Sequence, residues 1–287
     1  MPAKKADRVA TAVLTMAALS LILILAWFLL YVLRRGLPVL TPQFLTSSPR
    51  ELEAGGGVGP QLFNSFYILF LSLFFSLPVG LGTGVYLAEY ARPSRWTDLV
   101  RLSVESLATV PSIVLGLFGM IIFVNFFGLG FTILGGALTL ALLNLPLLVR
   151  VTEEAIRAVP VSYREASLAL GATQWQTVRQ VVIPAALPGI ITGVTLTAGR
   201  ALGETAVLIY TAGTSASRHF FDLDPFNAGE TLAVHLWYVR AESLVPDAGR
   251  IADGAAALLI IAVLVFNLIL GLPARLVLRR LTTGGHR

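Results

Sequence analysis

The chain has 287 residues, of which 56% are hydrophobic and 13% are charged, and its mean hydropathy is +0.80. Soluble domains carry about 25% charged residues, so this composition leaves too few polar side chains to cover a globule and excludes a soluble enzyme. The net charge of +5 would suit a nucleic-acid-binding protein, but the basic residues are scattered through apolar sequence.

Long uncharged runs predict six transmembrane helices. A helix needs about 20 residues to cross the hydrocarbon core, and the first run, Val9 to Leu33, exceeds that length. Its basic flank resembles a signal peptide, but the run is too long and lacks a small-residue cleavage site, so we expect a retained anchor. The other spans are predicted at 62–88, at 106–149 as two helices hinged at Gly128–Gly130, at about 184–210 and at 254–274.

The distribution of basic residues predicts the orientation. Six spans place both termini on one side, and assigning them to the cytoplasm puts fourteen of the 21 lysines and arginines there. Six lie on the opposite side, and Arg200 lies inside the fifth span. This asymmetry satisfies the positive-inside rule and explains the basic pI without nucleic acid. We therefore predict a multi-pass protein of the cytoplasmic membrane with both termini in the cytoplasm.

The segment between spans four and five carries the strongest local pattern. Ser162-x-x-Glu165 and Thr173-x-x-Gln176 both fit the capping box, so two short helices are predicted to begin there. Gly171 suits the left-handed residue that ends the first helix. A polar helix–turn–helix of this kind is suited to docking into a groove of a partner protein. DNA-binding modules share the pattern, but this segment is tethered between two spans and carries little charge to neutralise phosphates.

This segment resembles the EAA motif of ATP-binding-cassette importer permeases. The matching residues are Glu165-Ala166-Ser167, Gly171 and Val181-Val182-Ile183-Pro184, with Ser167 in place of the second alanine. Other segments are similar to the A-type permease subunit of bacterial phosphate importers: Tyr86–Tyr90, Val110–Gly116, Arg150–Glu154 and Ala201–Ala206. The resemblance covers residues 62–273 and places the ATPase-coupling role on Glu165, Ala166, Ser167, Gly171 and Pro184.

The resemblance implies an all-α integral membrane protein with six transmembrane helices and the type I importer permease fold. It divides the chain into an N-terminal helix with an extracytoplasmic loop (1–61), a permease core (62–273) with coupling helices at about 152–182, and a cytoplasmic tail (274–287). The implied function is ATP-driven import of inorganic phosphate across the bacterial inner membrane by alternating access. The alternatives are a permease for another oxyanion, such as sulfate or molybdate, and an ATP-independent anion channel.

The same resemblance implies the partners. They are a second, homologous permease of the C type, two copies of a nucleotide-binding ATPase subunit and an extracytoplasmic phosphate-binding protein, within a lipid bilayer. This chain would bind no cofactor, because ATP and Mg²⁺ would belong to the ATPase subunits. Consistent with that division, the sequence has no P-loop lysine, no Gly-x-Ser-x-Gly and no cysteine, and its histidines lie outside the predicted spans: His219, His235 and His286.

Charged residues in the spans predict the anion path. Arg200 and Glu204 are four residues apart, so a continuous helix would place them on one face. The functional hypothesis is that Arg200 attracts an oxyanion and Glu204 neutralises Arg200 between transport events; the alternative is a buried pair that only fixes packing. Small residues every four positions from Ala185 to Ala201, like Gly80 and Gly84 in span two, predict close helix contacts.

A second candidate pair lies where span four is predicted to reach the cytoplasm. It consists of Arg150 with Glu153 or Glu154, and Glu105 at the start of span three lies on the same side. An interfacial arginine that only anchors the span is the alternative. In the outer loop, Asp222 and Asp224 could bind a cation, but they lack further ligands at metal spacing, and no metal site is predicted.

Overall fold

The computed structural model describes residues 3–50, 53–215, 220–243 and 245–283, and it describes side chains only as far as Gly271. These residues form twelve α-helices: α1 Ala3–Gly36, α2 Pro42–Thr46, α3 Gly59–Glu89, α4 Arg95–Thr109, α5 Ser112–Gly119, α6 Ile133–Arg157, α7 Val161–Ala169, α8 Gln174–Thr177, α9 Ile183–Leu202, α10 Ala206–Ile209, α11 Leu232–Ala241 and α12 Ala248–Thr283. A 3₁₀-helix, Leu37–Val39, follows α1. One π-helical turn, Met120–Phe126, continues α5, and another, Val178–Val182, joins α8 to α9.

The apolar helices confirm a membrane architecture. Five stretches, built on α1, α3, α6, α9 and α12, are long and apolar enough to cross a bilayer. A sixth candidate is the pair α4 and α5, whose axes are bent by 104° at a short break. The prediction of an all-α membrane protein with six spans is therefore confirmed if the bent pair counts as one span.

The third span is broken where the sequence predicted a continuous helix from residue 106. A proline disfavours the α conformation in the residue before it, and Val110, which precedes Pro111, has φ −68° and ψ 127°. The chain therefore leaves α4 and starts again as α5 in a new direction. The predicted hinge is confirmed, because Gly128 and Gly130 have φ of +66° and +70°, in the left-handed region that glycine favours.

Helix α6 is the central helix of the bundle and lies between α3 and α9. A Cβ atom built on Gly80 would lie 2.7 Å from the Cβ of Leu148, and one built on Gly189 would lie 2.9 Å from the Cβ of Ala155. A Cβ on Gly193 would overlap the side chain of α6 that faces it. These glycines therefore allow the close helix contacts that the sequence predicted.

The two ends of the bundle have different structures. At the end that we call the hairpin end, α7 and α8 connect α6 to α9 and form the hairpin. At the opposite end, which we call the loop end, Arg35 Nη2 of α1 lies 3.0 Å from Asp253 Oδ2 of α12. The most apolar stretch of α1 contains no buried residue. Helix α1 is therefore held to the bundle at the loop end.

Candidate functional site

The turn of the hairpin has the geometry that the sequence predicted. Gly171 has φ +85°. Its N–H donates to the carbonyl oxygen of Leu168 at 3.0 Å, and the N–H of Ala172 donates to that of Ser167 at 3.3 Å. The last carbonyl groups of a helix have no partner within the helix, and these two bonds satisfy them at the end of α7.

Only one of the two predicted capping boxes is present. Thr173 Oγ1 accepts from the N–H of Gln176 at 3.3 Å, and Gln176 Oε1 accepts from the N–H of Thr173 at 2.8 Å. The box predicted at Ser162 is wrong, because α7 begins at Val161, so its N-cap is Pro160, two residues before Ser162, and no described side chain caps it. Ser162 therefore lies inside the first turn and cannot accept the N-terminal bonds.

The residues matching the coupling motif lie on the hairpin and at the start of α9. Glu165, Ala166, Gly171 and Pro184 are all exposed. Ser167 is half-buried, and its Oγ lies 2.9 Å from Thr177 Oγ1, so it ties α7 to α8. The serine that replaces the second alanine of the motif thus stabilises the hairpin.

The hairpin also exposes large apolar side chains. Leu170 is 89% exposed, Trp175 is 59% exposed and Tyr163 is 52% exposed. Val161 and Leu168 are exposed as well, and we call these five side chains the hairpin surface. Clustered exposed apolar side chains on a short protruding element are typical of a protein interaction site.

A charged cleft of about 300 Å³ lies between α4 and α6 at the hairpin end. Three arginines and three glutamates line this cleft: Arg101, Glu105, Arg150, Glu153, Glu154 and Arg157. The structure therefore brings the predicted residues of the second pair together with Glu105. Sequence reasoning missed Arg101 and Arg157 as members of this site. The spacing of Arg157 from Glu153 was a usable signal, whereas Arg101 joins the cleft only through folding.

The pairing within the cleft distinguishes two groups of arginines. Glu153, with a side chain 13% exposed, pairs with Arg101 at 2.8 Å and with Arg157 at 2.7 Å. Arg150 pairs with Glu154 at 3.0 Å, and these side chains are 75% and 66% exposed. An exposed ion pair contributes little free energy, so Glu154 holds Arg150 only weakly. Glu153 instead holds its two arginines in place.

The prediction that Arg200 and Glu204 share one face of a continuous helix is wrong. Helix α9 ends at Leu202, and the N–H of Gly203 donates to the carbonyl oxygen of Arg200 at 3.1 Å. Glu204 therefore lies in the non-helical segment before α10 and is half-buried, whereas Arg200 is exposed on the last turn of α9. In the part of the chain that the structure describes, no carboxylate oxygen lies within 4.0 Å of the Arg200 guanidinium.

The acidic residues of the outer loop stabilise turns. Asp222 Oδ1 accepts from the N–H of Asp224 at 3.1 Å, and its Oδ2 accepts from Asn227 Nδ2 at 2.9 Å. Asp224 Oδ1 accepts from the N–H of Phe226 at 3.0 Å. These bonds give both carboxylates a structural role within the loop. His219, in the same predicted loop, lies outside the described residues.

Comparisons with known proteins agree with this architecture. The family model for the binding-protein-dependent transport system inner membrane component matches residues 80–283. The chain is 45% identical to the probable ABC transporter permease protein YqgI of Bacillus subtilis (strain 168), over 98% of this chain and 99% of that protein. It is 36% identical to the phosphate transport system permease protein PstA of Haemophilus influenzae, over 85% of each chain.

The fold is similar to that of solved importers. An inward-facing structure of the MetNI methionine ABC transporter matches with a TM-score of 0.61 and 25% identity, over 76% of this chain and 94% of that chain. The type I importer permease fold is therefore confirmed. In this family the permease spans the inner membrane, ATP hydrolysis belongs to a separate subunit, and a substrate-binding protein completes the importer. The chain belongs to the family of binding-protein-dependent transport system inner membrane components, the permease subunits of ABC importers.

Proposed function

We propose that this chain is the A-type permease subunit of an ATP-driven importer for inorganic phosphate. The observation that carries the proposal is the presence of two arginines, Arg200 on α9 and Arg150 in the charged cleft, that have no buried acidic partner among the described residues. A guanidinium presents parallel N–H donors that match two oxygens of an oxyanion. The similarity to PstA of Haemophilus influenzae supports phosphate among the possible oxyanions.

The two arginines lie at different levels of the bundle. Sixteen residues separate Pro184 from Arg200, which corresponds to about 24 Å along α9 and places Arg200 towards the loop end. Arg150 lies at the hairpin end, next to Glu105 in the charged cleft. An anion that crosses the bundle meets the two arginines in turn. Glu154 and Glu105 limit the net positive charge beside Arg150, which keeps the anion from being trapped there.

The hairpin transmits the work of ATP hydrolysis. The hairpin surface docks into a groove of the ATPase subunit together with the motif residues, which are Glu165, Ala166, Ser167, Gly171 and Pro184. Closure of two ATPase subunits around ATP and Mg²⁺ pushes the hairpins of the two permeases together. The spans then rock as rigid bodies between inward-facing and outward-facing states. This chain supplies no catalytic group and binds no cofactor.

The remaining partners follow from this orientation. The hairpin end and both termini face the cytoplasm, in agreement with the excess of arginines on that side. A homologous C-type permease forms the other half of the path. An extracytoplasmic phosphate-binding protein delivers the anion to the loop end.

Uptake of labelled phosphate tests the proposal. We would express the chain with its partner subunits in bacteria that lack other phosphate importers and compare the complex with one whose ATPase is inactive. We expect uptake that requires the active ATPase and that excess sulfate or molybdate does not inhibit. Uptake of sulfate or molybdate in place of phosphate would assign the path to that oxyanion. Uptake that persists with the inactive ATPase would favour a channel.

A further inference from the structure

Two charged side chains meet where the hairpin joins the spans. Glu89 is the last residue of α3 and its side chain is 8% exposed, whereas the side chain of Arg164 in α7 is 19% exposed. Nε and Nη2 of Arg164 both donate to Glu89 Oε1, at 2.9 Å and 2.6 Å. The two residues are 75 positions apart in the sequence, so only folding brings them together.

The same guanidinium also binds the end of α6. Arg164 Nη2 donates to the carbonyl oxygen of Ile156 at 2.8 Å, and Nη1 donates to that of Val159 at 2.7 Å. These carbonyl groups close a helix C-terminus, where partners are missing and positive charge is favourable. From α8, Gln174 Nε2 donates to the backbone oxygen of Glu89 at 2.9 Å. Four helices, α3, α6, α7 and α8, therefore meet at Glu89 and Arg164.

We propose that Glu89 and Arg164 form a positioning joint that sets the orientation of the hairpin relative to α3 and α6. The inference rests on the proposed docking of the hairpin onto an ATPase subunit. Apolar packing of Ile156, Val159 and Val182 supports the base of the hairpin, but α7 itself reaches α3 through this joint. A push on the hairpin surface consequently moves α3 and α6 together rather than bending the hairpin.

The geometry requires arginine at position 164. The planar guanidinium donates four hydrogen bonds, two to Glu89 Oε1 and one each to the carbonyl oxygens of Ile156 and Val159. A lysine ammonium keeps the charge but presents its donors from a single point, so it cannot reach all three acceptors. Arg164→Lys therefore removes the joint and preserves the charge. Glu89→Gln keeps an acceptor oxygen and removes the charge that strengthens the bonds.

The first measurement is the amount of phosphate moved per ATP hydrolysed by the full complex in proteoliposomes. We expect Arg164→Lys to assemble with all partners and to lower this ratio by about threefold or more, within the range of coupling changes known for such networks. Arg179→Lys is the matched control, because Arg179 is exposed on the π-helical turn after α8 and forms no ion pair with the described carboxylates. We expect no change in its ratio.

The second measurement is the spread of hairpin orientations. Since the chain has no cysteine, Phe70→Cys on α3 and Ser162→Cys on α7 allow a pair of spin labels to be placed in the complex. Phe70 lies nineteen residues, or about 28 Å along α3, from Glu89, and Ser162 lies two residues before Arg164. The separation of the two labels is therefore of the size that pulsed EPR measures. We expect a narrow distance distribution in the parent complex and in Arg179→Lys, and a broad distribution in Arg164→Lys.

The two measurements together decide the proposal. A broad distribution with a lowered ratio supports the joint. A distribution that stays narrow in Arg164→Lys, or a ratio that stays unchanged, overturns it. If Arg164→Lys fails to assemble, the phosphate-to-ATP ratio and the EPR distance distribution are measured on Glu89→Gln instead, and the same outcomes support or overturn the joint. If the parent complex moves no phosphate, the proposed function fails, and the EPR distribution alone supports or overturns the joint.

Discussion

Replacement of Gly171 by aspartate tests whether the hairpin surface docks onto a motor subunit. Gly171 has φ +85°, and no atom of the described residues lies within 4 Å of a Cβ atom built there. The space is open, so the cost within this chain is the backbone conformation alone, about 1–2 kcal/mol for an L-residue in the left-handed region. That cost changes the population of the turn by a factor of roughly 5 to 30.

Asparagine at the same position is the matched control. Aspartate and asparagine have nearly the same shape, and both tolerate the left-handed region better than other residues. They differ in charge, and the residue next to them, Leu170 of the hairpin surface, is 89% exposed. A carboxylate buried without a partner in a docked groove costs far more than an amide, so the charge acts only when the partner binds. We expect Gly171→Asn to keep most of the coupled transport and Gly171→Asp to lose it.

The assay compares ATP hydrolysis and phosphate uptake in proteoliposomes that contain equal amounts of each complex. Gly171→Asp should insert into the membrane normally and should separate hydrolysis from uptake. Unchanged uptake in Gly171→Asp would refute docking through this turn. Equal losses in both variants would show that the backbone conformation, rather than the surface, limits coupling.

Five further variants, two of them comparison variants, probe packing and the anion path. Gly80→Ala should lower the free energy of unfolding by about 1–3 kcal/mol through overpacking against Leu148. Gly82→Ala should not lower it, because no atom of the described residues lies within 4 Å of a Cβ atom built there. Thermal unfolding in detergent compares the two variants. Arg200→Gln should abolish phosphate uptake without reducing complex yield, and Arg200→Lys should retain part of the uptake. The charged cleft has three arginines and three glutamates, so Glu153→Gln should leave it with one excess positive charge. The cleft should then retain the anion longer, which lowers the maximal uptake rate.

Each of these variants has an outcome that contradicts its reasoning. Equal unfolding temperatures for the two glycine variants would mean that α3 and α6 do not pack as described. A loss of complex yield in proportion to uptake would give Arg200 a structural role. An unchanged maximal uptake rate in Glu153→Gln would remove the charged cleft from the path.

Local features of this chain were readable before folding was considered. The spans follow from long uncharged runs, because a helix in lipid must be apolar outside and satisfy its own backbone bonds. The left-handed Gly171 and the capping box at Thr173 were likewise predicted, since each depends on residues within one turn of helix. The resemblance to importer permeases rested on the same short segments.

Breaks within the spans and ion pairs between distant residues were missed or predicted wrongly. Hydropathy does not distinguish a continuous helix from a broken one, so the bend before α5 and the end of α9 ahead of Glu204 were not foreseen. Nor does a sequence indicate which opposite charges will meet. Arg164 lies 75 positions from Glu89, and only the folded chain brings their side chains together. Hydrogen bonds of helices and turns form between near neighbours, whereas the choice of partner for a charge depends on the packing of whole helices.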